Sequence, residues 1–176
     1  GALPSSAPTG GGFVSISSTA YAFAALDASG TIHAWGNGRY GGSGAPTGSG
    51  FVSIASNEGA FVAVDASGTI SSWGHAGYGG SGAPTGIGFH SITSTARAFA
   101  AIGNPTGTIY AWGEAQFGAA QYGGQPGPPT GSGFASLFSS HGAFAALDGS
   151  GVISSWGNLG ALPSSAPTGG GFVSIS

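Results

Sequence analysis

The sequence predicts an all-β protein built from tandem antiparallel units of about 38 residues, and three observations predict it. A Pro-Thr-Gly triplet begins at Pro8, Pro46, Pro84, Pro129 and Pro167, at spacings of 38, 38, 45 and 38. A phenylalanine follows in the same rhythm at Phe13, Phe51, Phe89, Phe134 and Phe172, and a Trp-Gly pair closes each unit at Trp35, Trp73, Trp112 and Trp156. Between these markers, apolar residues alternate with a period of two or run unbroken for five residues. They are rich in β-branched and aromatic side chains, which is strand patterning and not the period of a helix.

The rhythm divides the chain into a linker over 1–12 and repeats over 13–50, 51–88, 89–133 and 134–171. Residues 172–176 are the expected first strand of a fifth repeat. The third repeat is longer by one residue in the turn around Gly103-Asn104-Pro105 and by six in the linker between Gln116 and Tyr122, together the difference between 45 and 38. Residues 160–176 repeat residues 1–17 without a change, and the chain begins inside a linker. That overlap predicts a window from a longer tandem array; an engineered overlap is the other source of such an identity.

Within the second repeat, the first expected strand is Phe51–Ser56, with Val52 and Ile54 on one face and Phe51 and Ser53 on the other. The second, Ala60–Val64, is apolar throughout and needs both faces covered. A hairpin follows, marked by Asp27 with Gly30, Asp65 with Gly68 and Asp148 with Gly151. Aspartate starts such a turn by bonding the backbone two residues on, and glycine accepts the positive φ. The third strand, Thr69–Trp73, ends at Gly74. The proline of the glycine-rich linker has no N–H for a ladder and belongs in the connection. No helix is called for.

A three-stranded sheet of this size must bury its apolar faces against a neighbour. Stacking face to face as propeller blades provides one. A β-solenoid is the alternative, but it would stack Asp27 above Asp65, a like-charge contact. The all-apolar middle strand suits blades better.

The stretch AFAALDASGTIHAWGNGRYGG, residues 22–42, resembles the repeat of the regulator-of-chromosome-condensation family of β-propellers, and similar stretches recur at 60–80, 98–124 and 143–160. The shared pattern is a hydrophobic-Ala-Leu strand, a glycine turn, a strand ending in Trp-Gly and a glycine-rich exit. The units here are shorter, and glycine and serine replace the family's glutamine-leucine-glycine exit. The resemblance therefore implies the propeller architecture alone; no position matches the loop residues of the family's nucleotide-exchange or chromatin roles.

Composition narrows the function. Only seven residues are charged, Arg39 and Arg97 against Asp27, Glu58, Asp65, Glu114 and Asp148, for a net charge of −3. That is 4 % of the chain, where about 25 % is usual. Two arginines cannot make the phosphate contacts of a nucleic-acid binder, and no apolar run approaches the ~20 residues of a membrane span. With no cysteine there is neither a disulfide framework nor a thiolate. His33, His75, His90 and His141 fall at four different repeat positions without metal-ligand spacing. Gly10-Gly11-Gly12 lacks the strand-then-helix context of a phosphate loop, and five scattered acids make a poor hydrolase pair. No catalytic residue, cofactor or metal site is expected, and the chain is read as non-enzymatic.

The recurring aromatics are expected to act as structural anchors: Trp35, Trp73, Trp112 and Trp156, with Phe13, Phe51, Phe89 and Phe134. An alternative places the tryptophans with Tyr40, Tyr78 and Tyr122 on a sugar-stacking rim. Thr9, Thr47, Thr85, Thr130 and Thr168, each after a proline, are candidate O-glycan acceptors in a secreted protein. The function expected is that of a structural repeat protein, part of an extracellular or cell-surface filament, appendage or matrix whose partners are copies of itself and, in part, glycans. The rival is a β-propeller binding module for carbohydrate or protein, with no nucleic acid and no membrane insertion in either case.

Overall fold

The computed structural model describes residues 6–117 and 127–158. Tyr122, Pro167, Thr168 and the strand expected over 172–176 with Phe172 lie outside them. The chain divides into two compact halves, Gly1–Ile87 and Gly88–Ser176.

Among the described residues, each half holds two three-stranded antiparallel sheets. In the first these are β1 (Phe13–Ser18), β2 (Ala22–Asp27) and β3 (Ile32–Gly36), then β4 (Phe51–Ser56), β5 (Ala60–Asp65) and β6 (Ile70–Gly74). In the second they are β7 (Phe89–Ser94), β8 (Ala98–Gly103) and β9 (Thr108–Gly113), then β10 (Phe134–Ser139), β11 (Ala143–Asp148) and β12 (Ile153–Gly157). Every sheet has its middle strand in the middle of the sequence order. The four sheets are blades, each made by one repeat.

The blades stack by one rule in both halves. Alternate residues of a middle strand face opposite ways, so β2 turns Ala22, Ala24 and Leu26 to one side and Phe23 and Ala25 to the other. The alanine side, with Ile32, packs on Phe61, Ala63 and Trp73 of the second blade. In the second half Ala98, Ala100, Ile102 and Ile109 pack on Phe144, Ala146 and Trp156. A small aliphatic face thus meets an aromatic face. In all four blades the aromatic pair is a parallel stack: Phe23 on Trp35, Phe61 on Trp73, Phe99 on Trp112 and Phe144 on Trp156, with ring centres 5.1 to 5.6 Å apart.

Two features depart from the sequence expectation. The first strands do not alternate evenly, because each carries an irregularity, as between Phe51 and Ser53. One extra residue there flips the side chains that follow. Phe51 and Ile54 therefore both pack against the core, while Val52 is 59 % exposed and does not share a face with Ile54. The linkers also hold short 3-10 turns, at Gly38–Tyr40, Ala76–Tyr78 and Ala115–Phe117. Gly41 and Gly79 end the first two in the left-handed region.

Adjacent blades are also tied through the backbone. The hairpin of the first blade meets the entry to the second, where Gly50 N donates to Ser29 O and Phe51 N to Gly30 O, 3.2 and 3.1 Å apart. At the opposite end Ala20 N donates to Glu58 O at 2.9 Å, and Trp73 Nε1 donates to Gly41 O at 3.0 Å. The second half repeats the pattern with Gly133 and Phe134 donating to Thr106 and Gly107, and Ala96 to His141.

Candidate functional site

The two ends of the blades differ in chemistry. At the hairpin end stand Asp27, Asp65 and Asp148. Asp65 Oδ1 accepts from Ser67 N, Ser67 Oγ and Thr69 N at 2.9, 2.6 and 2.9 Å. Asp148 does the same with Ser150 and Val152, and Asp27 with Ser29 and Thr31, its second oxygen lying 3.0 Å from His33 Nε2. Donors aimed at the ionised form lower a carboxyl pKa. The Ser29 hydroxyl, then His33, hold Asp27 well below the usual carboxylate range. The Ser67 hydroxyl holds Asp65 down, and the Val152 amide, then the Ser150 hydroxyl, do so for Asp148. These carboxylates staple turns. Gly30, Gly68 and Gly151 complete the same hairpins with φ of 78, 80 and 81°. In the third blade Gly103 replaces the aspartate, and the turn keeps only the backbone bond from Gly107 N to the Gly103 carbonyl, the counterpart of Gly30, Gly68 and Gly151 N donating to the aspartate carbonyls.

A pH dependence follows. A carboxyl whose folded pKa is depressed stabilises the fold above its unfolded pKa, and that contribution is lost as pH falls through the folded value. Urea midpoints are therefore expected to hold from pH 7 to about 5 and to fall below about 4. Asp65→Asn should flatten that acid limb, and an unchanged limb would remove the aspartate turns as its cause.

The other four charged residues, Arg39, Glu58, Arg97 and Glu114, all lie at the opposite end, in the first-to-second strand turns and in or beside the 3-10 turns. In the first half Arg39 Nη2 lies 3.1 Å from His75 Nε2. The His75 ring lies 4.6 Å from Tyr78 and 6.2 Å from Tyr40, and Tyr40 meets Tyr21 edge-on at 4.7 Å. Tyr21 is 64 % exposed. One cationic and aromatic strip thus crosses both blades of this half. In the second half Arg97 pairs with Glu114 at 3.2 Å and lies over the Phe117 ring, which approaches His141 at 5.9 Å.

The side chains that support these strips were not among the expected site residues. Thr19, Asn57, Thr95 and Ser140 each cap the turn ahead of a middle strand, accepting from Ala22 N, Ala60 N, Ala98 N and Ala143 N. The first three also reach across to the 3-10 turn, donating to Tyr40 O, Tyr78 O and Phe117 O. A signal existed: the four positions recur at 38, 38 and 45, always small and polar.

A second surface is the aromatic face of the first blade. Phe23 is 45 % exposed, where Phe61 is 0 % and Phe144 is 1 %. Trp35 is half-buried, whereas Trp73, Trp112 and Trp156 are buried. Pro8, Phe13, Val14, Ile16, Ala25 and Trp35 are among the residues around an open groove of about 410 Å³ on this face. Among the other expected anchors, Phe13 is exposed, Phe51 and Phe134 are half-buried and Phe89 is buried; Thr9, Thr47, Thr85 and Thr130 are all exposed. Among the described residues, no group of three or more His, Cys, Asp or Glu is placed to hold a metal ion, and no helix is long and apolar enough to cross a membrane.

Solved structures resemble this arrangement. The ectodomain of the receptor kinase CR4 from Physcomitrella patens matches 88 % of the chain at 25 % identity and a TM-score of 0.62. The CRINKLY WD40 ectodomain of the receptor kinase ACR4 from Arabidopsis thaliana matches 89 % at 15 % identity and 0.64. The yeast RCC1 protein Prp20, in a structure with Kap60, matches 85 % at 18 % identity and 0.61. The fold is that of β-propeller blades, similar in architecture to those of RCC1. The chain spans about half the length of these relatives, 43, 54 and 45 % of each. No family model and no curated protein matches the sequence.

Proposed function

We propose that this chain is a non-catalytic β-propeller binding module whose partner is a protein. The observation that carries the reading is the strip of Tyr21, Arg39, Tyr40, His75 and Tyr78. Tyrosine and arginine dominate the energetic centres of protein interfaces, where rigid amphipathic rings bury area at little entropic cost. On a surface almost without charge, this strip gathers a cation and four rings at one end. The likeness to the yeast protein Prp20, whose binding to Gsp1p, to histones and to Kap60 has been examined, supports protein rather than sugar as ligand. The test is a panel of immobilised proteins, peptides and glycans probed with the intact chain. Protein ligands should lose at least tenfold in affinity to Tyr40→Ala and to Arg39→Ala, about 1.4 kcal/mol or more, and nothing to Tyr110→Ala. Glycan-only binding, or protein binding indifferent to both variants, would overturn the reading.

A second reading is favoured by the open aromatic face: the module is one block of an extracellular repeat scaffold that binds copies of itself in a filament, appendage or matrix. The four repeats, divided as above, are then its units of assembly. Likeness to two receptor-kinase ectodomains supports a place outside the cell. The exposed threonines Thr9, Thr47, Thr85 and Thr130 support O-linked glycans as its hydration.

A further inference from the structure

We infer that the aromatic face of the first blade is the seat for the fourth blade of a second copy of this chain. The inference rests on the scaffold reading and names the two surfaces that would join.

The seat is recognisable because the same one is used within each half. Phe61, Ala63 and Trp73, flanked by Phe51 and Ile54, receive the preceding blade in the first half. Phe144, Ala146 and Trp156, flanked by Phe134 and Leu137, do so in the second. The first blade presents the same set: Phe23 stacked on Trp35 at 5.4 Å, with Ala25 opposite Ile16 and lining one groove with Ile16 and Phe13. Here its outer members are open, with Phe23 at 45 % and Ile16 at 64 % exposure, while Trp35 is half-buried and Ala25 is buried. In both filled seats the occupant is a blade face of two alanines and two larger aliphatic residues.

The fourth blade carries that occupant residue for residue. β11 and β2 are the same hexapeptide, AFAALD, so Ala143, Ala145, Leu147 and Ile153 repeat Ala22, Ala24, Leu26 and Ile32. Ala145 and Ile153 are half-buried, whereas Ala24 and Ile32 are buried; Ala143 and Leu147 are buried, as are Ala22 and Leu26. The order of blades comes from the sequence. The seventeen residues that begin the chain and lead into the first blade recur as residues 160–176, closely following the fourth. A fourth blade is therefore what the sequence itself places ahead of a first-blade sequence. Seat and occupant are different surfaces, so the contact is heterologous and joins copies head to tail.

The test is sedimentation equilibrium of the intact chain over a wide concentration range. Wild-type mass should rise past that of a dimer. Phe23→Glu and Ala145→Glu should each leave monomers with an unchanged circular dichroism spectrum. Mixed one to one, they should give a dimer and nothing larger, because each variant retains the surface that the other lacks. If the wild type assembles but the mixture stays monomeric, this joint is wrong while the scaffold reading stands. A wild type monomeric throughout overturns both. Cysteine trapping tests the joint without a charge in an apolar face, against no native thiol. Under oxidation, Phe23→Cys chains mixed with Ala145→Cys chains should cross-link at least tenfold faster than Phe23→Cys with Thr47→Cys; equal rates would overturn the pairing.

Discussion

Replacing Trp73 with alanine is expected to cost about 3–5 kcal/mol of unfolding free energy, while Trp35→Ala should cost only about 1–2 kcal/mol. The two residues hold the same place in consecutive blades and stack on the same partner type, Phe61 and Phe23. They differ in what covers them. Trp73 is 4 % exposed, packs against Ala22, Ala24 and Leu26, and donates its indole N–H to Gly41 O. Its loss opens a cavity between blades and leaves the Gly41 carbonyl without its donor. Trp35 has no such lid, so truncation removes part of an already open surface. Urea unfolding of the dilute chain measures both, and equal costs would show that the aromatic stack, and not the contact between blades, holds the first half together. In assembled material the gap should narrow, because a seated neighbour buries Trp35 as Trp73 is buried.

Gly30→Ala is expected to cost about 3 kcal/mol or more, against about 1–2 kcal/mol for Gly44→Ala. Both glycines have nearly the same positive φ, 78 and 80°, so the cost of placing a side chain at a left-handed φ is shared. Space separates them. A methyl group at Gly30 would lie 2.7 Å from both the nitrogen and the oxygen of Phe51, whereas at Gly44 nothing comes within 4 Å. The obstructing atoms are backbone, where the next blade begins, so relief requires parting the two blades. The difference between the two variants in thermal or urea unfolding isolates that steric part. Equal losses would mean that the entry to the second blade yields freely.

The fold class was legible because its signals are local. Period-two alternation, a Trp-Gly stop and an Asp-x-x-Gly hairpin each act within a few residues, and repetition shows every one of them four times or nearly so. Packing between blades was legible only in outline. The all-apolar middle strand implied two covered faces, but not that alanines would line one and a phenylalanine-tryptophan stack the other. The irregular first strand was out of reach, since Phe51-Val52-Ser53-Ile54 reads as simple alternation and one unpaired residue decides which side chain turns inward. The candidate site was legible only in part, through Tyr40 and Tyr78, which recur in register and read as a rim. His75 and Arg39 belong to different repeats and different slots, and Tyr21 recurs in no other repeat. They meet because turns from neighbouring blades fold to the same end, held by Thr19 and Asn57. Repetition makes the scaffold conspicuous and hides what departs from it.

The backbone bonds between neighbouring blades lie at both ends: Ser29 and Gly30 to Gly50 and Phe51 at one, Ala20 to Glu58 at the other. A joint fastened at one end can swing like a door. One pinned at both, with a slab of close-packed side chains between the pins, resists rotation about either. Each pair of blades therefore carries load as a single stiff plate, and force pulling the two sheets apart must shear both fastenings together instead of peeling them in turn.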